Sequence, residues 1–225
     1  MGIRNVISTA VAAVGTAALV MLAVTAPANA APSPAPPVAV APVPPPTDVP
    51  GCERGCSVAF DRQLPDDVRF VGLNTPPDGG PGPSVLVYLI GGEVHDVLAS
   101  PEPAAVMDAA CGYAGDAQRC SVSYEVGAHS SKVRTMLLTG DRGIEITDHV
   151  GGDAPDAYVT DLDGNGRGDA TVRMSTFDPA YAGAPQYWET YVELDGAFVH
   201  TGCGPLETER SAPPVAPLTG ACPHP

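Results

Sequence analysis

Basic residues are scarce in this chain: 11 Lys and Arg stand against 26 Asp and Glu, a formal net charge of −15. That balance leaves no material for a positive face, which nucleic acid and anionic membrane surfaces both require of a partner. Cation binding and plain solubility of an acidic protein remain open. Catalytic patterns are also missing. The five histidines, His95, His129, His149, His200 and His224, form no His-Glu-x-x-His pair. Ser130-Ser131-Lys132 is not a Ser-x-x-Lys motif, and no Gly-x-Ser-x-Gly elbow occurs. His95-Asp96 and Asp148-His149 are neighbours on strand-like runs, where adjacent side chains point to opposite faces. No Cys-x-x-Cys pair is present to suggest zinc.

Only one apolar run is long, Val6 to Val24. With Arg4 before it and Ala28-Asn29-Ala30 after it, residues 1–30 read as a secretory signal peptide cleaved after Ala30. No later run could span a membrane, so no membrane insertion is expected after cleavage. Residues 31–50 are almost wholly Pro, Ala and Val and read as an extended linker, either a stalk or a processing remnant. Residues 205–225 form a second Pro-rich stretch, a C-terminal tail.

Six cysteines behind a secretory leader read as three disulfides in an oxidising compartment. Local pairing favours Cys52–Cys56, Cys111–Cys120 and Cys203–Cys222. The expected localisation is secreted or extracellular, with cell-wall association as one form of it.

The domain between linker and tail, 51–204, is long enough for one real core. Ala104 to Ala110, after Pro101 and Pro103, reads as a short helix. Elsewhere, short β-branched and aromatic runs bounded by Gly, Pro or Asp dominate. Gly91-Gly92, Asp141-Arg142-Gly143 and Asp195-Gly196 sit between such runs as hairpin turns. The fold class is therefore all-β and antiparallel. Residues 57–98, 110–148 and 157–201 each read as strand, turn, strand, loop, strand, turn, strand, so three four-stranded, propeller-blade-like units are expected, disulfide-stapled. A propeller-like arrangement and a sandwich both remain open.

The most specific stretch is Asp161-Leu162-Asp163-Gly164-Asn165-Gly166-Arg167-Gly168-Asp169, placed between two strand-like runs. Oxygen-bearing side chains recur at loop positions 1, 3, 5 and 9, with glycines that let the backbone curl, as a hard dication needs. An ordinary EF-hand is excluded, because position 12 is Val172 and the flanks are not helical. With its flanks, Val159 to Val172, the stretch resembles the calcium loop of FG-GAP and VCBS-type β-propeller repeats. The resemblance implies calcium as the bound ion. Asp161, Asp163, Asn165 and Asp169 would give side-chain oxygens, and Arg167 a backbone carbonyl. Arg167-Gly168-Asp169 also spells an integrin-read tripeptide, but an ion ligand cannot also be offered to a receptor.

The functional expectation is a secreted, non-enzymatic calcium-binding β-module for display or recognition of an extracellular or cell-wall partner. The alternative is a secreted hydrolase or carbohydrate-binding protein with a site in loops the sequence does not pair. Trp188, the one Trp, reads as a core aromatic or as a sugar-stacking platform.

Overall fold

A computed structural model describes residues 48–76, 83–100, 102–114 and 117–223. The leader 1–30, most of the linker 31–50 and His224 lie outside the described residues. Among the described residues twelve strands follow in chain order, with a 3-10 turn at Tyr181–Gly183. They are β1 (Ser57–Leu64), β2 (Val68–Asn74), β3 (Ser84–Ile90) and β4 (Glu93–Ala99) in a first sheet, and β5 (Ala105–Ala114), β6 (Ala117–Glu125), β7 (Ser131–Thr139) and β8 (Gly143–Gly152) in a second. A third holds β9 (Ala157–Thr160), β10 (Asp169–Ser175), β11 (Gln186–Leu194) and β12 (Ala197–Cys203). Each sheet is an antiparallel meander of four consecutive strands. The sheets do not form a closed barrel.

The expected helix at Ala104 to Ala110 is a strand instead, the start of β5. A bulge explains the misreading. Register shifts between Val106 and Asp108, leaving Met107 unpaired and 42% exposed. Ala104, Val106 and Ala109 are then the buried positions, a spacing that departs from strict alternation. The second unit accordingly begins at Ala105 rather than at residue 110.

The central strands are buried on both faces, with both faces apolar in the first sheet and one face polar in the third, so each sheet needs a layer on either side. In β2 and β3 every residue but the last is buried. Phe60, Phe70, Leu86 and Tyr88 of the first sheet pack with Val106, Val122, Tyr124 and Met136 of the second. The second sheet meets the third through Val133, Ala157, Ala170 and Val172. The outer face of the first sheet, with Val71, Leu73, Val85 and Val87, is covered by Val49 and Cys52 of the segment that precedes β1. That segment is closed by the Cys52–Cys56 disulfide. Beyond the third sheet, Glu207 bridges Gln186 and Gly220 bridges Cys203, and Cys203–Cys222 ties the C-terminal segment down. The third disulfide, Cys111–Cys120, crosses the β5–β6 hairpin.

One device recurs between layers. The fourth strand of every sheet carries a one-residue bulge, at His95, Thr147 and Thr201. The residue after the bulge is Asp96 in the first sheet and Asp148 in the second. Asp96 accepts a 2.8 Å hydrogen bond from the N–H of Ile144 in β8, and Asp148 accepts one of the same length from Phe198 in β12. Each carboxylate also takes the N–H of its own successor, Val97 or His149, at 2.8 Å. In the third sheet the position is Gly202, where an added Cβ would lie 2.7 Å from the Leu218 carbonyl oxygen. The C-terminal segment occupies the place where a further sheet would dock.

Asp148→Ala should leave the Phe198 and His149 amides without that acceptor and lower unfolding free energy by about 1–2 kcal/mol in urea denaturation. Asp148→Asn, which keeps one acceptor oxygen, should lose less. Equal stability of Asp148→Ala and the parent chain would show that the latch between the second and third sheets contributes nothing.

Candidate functional site

The loop Asp161 to Gly168 joins β9 to β10, so it is the first hairpin tip of the third sheet. Its backbone curls because Gly164 and Gly166 adopt φ of 80° and 81°. The carboxylates of Asp161, Asp163 and Asp169 each bring an oxygen within 4.8 Å of the others. Asp161 accepts the N–H groups of Gly164 and Gly166, both at 2.8 Å. Asp163 accepts the Asn165 N–H at 3.0 Å, and Asn165 Oδ1 accepts the Arg167 N–H at 2.8 Å. Of the five residues that the calcium-loop resemblance nominates, the structure brings the carboxylates of Asp161, Asp163 and Asp169 together, with Asn165 and Arg167 in the loop between them.

Asp169 differs from the others because it is completely buried. Its Oδ2 accepts the N–H of Leu162 at 2.8 Å and of Asp163 at 3.3 Å. Its Oδ1 accepts the N–H of Glu193 in β11 at 2.8 Å. Burial pushes its pKa up, while the Glu193 and Leu162 amides pull it down and the neighbouring Asp163 charge raises it again. One side chain thus closes the loop and joins it to the next strand.

The Arg167 side chain does not neutralise these acids. It pairs with Glu193 at 3.3 Å and lies 3.9 Å from Asp195. Glu193 is 1% exposed and accepts the Gly196 N–H at the β11–β12 turn. Arg119 of the second sheet stands 4.0 Å from the same carboxylate. The sequence does not single out Glu193, because its partners Arg119 and Arg167 lie far from it along the chain. With Arg167 turned to Glu193 and Asp169 buried, the Arg-Gly-Asp tripeptide is not displayed.

The loop rests on the second sheet. The Ser121 hydroxyl donates to the Gly168 carbonyl, and a Cβ on Gly112 would lie 1.8 Å from the Gly166 oxygen. Gly112 follows Cys111, whose disulfide staples the hairpin beneath. The first hairpin tips of the second and third sheets are therefore in contact.

The donor set suits a hard dication. It consists of oxygens alone, three of the side chains are carboxylates, and the nearest guanidinium is committed to Glu193. A second cluster, Glu189, His200, Cys203 and Cys222, has the residue types for zinc, but its two sulfurs are bonded to each other. His95, His129 and His200 pack their rings against Tyr88, Tyr181 and Tyr191. Trp188 is 4% exposed and donates its ring N–H to the Ser211 hydroxyl at 2.8 Å, so it is a core aromatic and not a platform.

Comparison of the chain with family models, with curated proteins and with solved structures returns no match. The three disulfides suit an oxidising, extracellular setting. Among the described residues no helix is long and apolar enough to cross a membrane.

Gly112→Ala should force the 161–168 loop off the second sheet and cost about 1–3 kcal/mol, because the atom it meets is backbone rather than a flexible side chain. A thermal midpoint equal to that of the parent chain would mean that the hairpin tips do not touch.

Proposed function

We propose that the chain is a secreted or cell-envelope β-module that binds calcium structurally, has no catalytic role and presents its surface to an extracellular or cell-wall partner. The observation that carries the calcium reading is the convergence of three carboxylates in a loop whose own arginine is engaged elsewhere. Without a cation, such a group of acids is held together by backbone N–H donors and the Asn165 amide, which donates to Asp163 Oδ2 at 2.9 Å, against mutual repulsion. Asp161, Asp163, Asn165 and Asp169 would hold the ion through side-chain oxygens, with the Arg167 carbonyl completing the set. The FG-GAP and VCBS-like character of the loop favours the same ion and the same ligands.

A calcium ion here would supply charge neutralisation and stiffness, not a reaction centre. Asp169 carries any such stiffening to β11, because its other oxygen already holds the Glu193 amide. The Glu193 carboxylate carries it onward to the β11–β12 turn and to Arg119 in the second sheet. Loading of the loop would then tighten the contact between the second and third sheets.

With a dissociation constant on the order of 10⁻⁴–10⁻³ M, as for extracellular modules, 10 mM calcium should stabilise the chain by about 1.4–2.7 kcal/mol. Thermal unfolding should show a rise of roughly 3–10 °C over a sample containing chelator. Asp161→Ala should abolish the rise. Identical midpoints with calcium, with chelator and in the variant would sink the proposal.

A further inference from the structure

A separate polar cavity of about 320 Å³ lies at the other end of the third sheet, between residues 154–156, the 3-10 turn and the C-terminal segment. Arg173, Gln186, Asp156, Glu207, Arg210 and Tyr181 line it. None belongs to the loop at 161–169, so the cavity is independent of the calcium loop.

Arg173 is its least ordinary member. Only 2% exposed, it donates from Nε to Gln186 Oε1 at 2.6 Å and from Nη2 to the Glu209 carbonyl at 3.2 Å. The Glu207 carboxylate lies 3.7 Å away, and the guanidinium stands 5.0 Å over the Trp188 ring. Its Nη1 has no hydrogen-bond partner. A buried cation whose terminal NH2 is unpaired lowers its free energy when an oxygen reaches it. The other wall repeats the pattern in a more exposed form, with Arg210 ion-paired to Asp156. Tyr181 adds a ring, itself packed on His129 at 4.3 Å.

We infer that this cavity binds one hydroxylated ring of a saccharide. Both of its cations stand beside a carboxylate. A simple anion would meet Asp156 and Glu207, and a simple cation would meet Arg173 and Arg210. A hydroxyl group both donates and accepts, so neighbouring hydroxyls can satisfy a guanidinium and a carboxylate together. The Tyr181 ring offers an apolar face for the C–H side of the sugar. The volume is near the lower limit for small-molecule sites and suits one ring.

Trp188 is the chain's one tryptophan and lies against Arg173, so its fluorescence reports on the cavity. The full chain is titrated with methyl α-glucoside, N-acetylglucosamine and myo-inositol, with sodium acetate as the anion control. At least one of the three hydroxylated rings should give a saturable emission change that persists in chelator. Tyr181→Ala and Asp156→Asn alter the cavity without removing buried Arg173, and each should weaken that binding roughly tenfold or more. A response to none of the three rings overturns the inference. So does undiminished binding in either variant, or saturation by acetate at lower concentration than by any ring.

Discussion

A sheet with apolar residues on both faces cannot end at water, and the first sheet imposes that constraint on this structure. Val71, Val85 and Val87 fill one face of the first sheet while Phe70, Leu86 and Tyr88 fill the other. A single four-stranded meander of this kind would expose one apolar face whatever it did with the second. The chain stacks three of them and then closes both ends with its own termini. Val49 and Cys52 cover the first sheet, and the segment held by Cys203–Cys222 covers the third. Gly202 shows that the third sheet is terminal: it stands where Asp96 and Asp148 grip the next layer, and the C-terminal segment fills the space a side chain would need. Two of the three disulfides therefore secure the caps.

The candidate ion loop takes its rigidity from this stacking. It is the third version of one hairpin tip. In the first sheet that tip is the short turn between Leu64 and Val68, and in the second it is stapled by Cys111–Cys120. The third version is longer and rests its Gly166 and Gly168 backbone on Gly112 and Ala110 of the second. A loop so placed is supported by a covalently closed hairpin and is less free than its exposed aspartates suggest.

Much of this was legible in the sequence because it depends on local chemistry. Gly91-Gly92 and Asp195-Gly196 mark hairpins since both residues of each turn have positive φ. The Asp-x-Asp-x-Asn spacing marks the loop because its side chains cap its own backbone. The repeated unit was visible for the same reason, as strand and turn in fixed order. What escaped notice depends on the neighbouring layer. Met107 breaks the alternation of β5, so a bulged strand read as a helix. Nothing local to Glu193 points to Arg119 of the second sheet, and nothing local to Arg173 points to the segment at 207–210 that folds over it. Such residues answer to partners far along the chain, and no local spacing encodes them.

The acidity of the chain acquires a use that composition alone did not suggest. Asp96, Asp148 and Asp169 each accept two or more backbone N–H groups, and in each case one belongs to another element. A carboxylate suits this work because it accepts without donating and its charge strengthens each bond. A sheet that must bind a second sheet at its bulged outer strand has backbone N–H groups to satisfy there, and no ladder to satisfy them. Aspartate after a bulge does so at both layer contacts, with two 2.8 Å bonds each time. Asp169 applies the same chemistry to Glu193, the register partner of Phe198, where it fastens a loop instead of a layer. The calcium reading therefore turns on Asp161 and Asp163, whose bonds stay within the loop, more than on Asp169, which the fold would need with or without an ion.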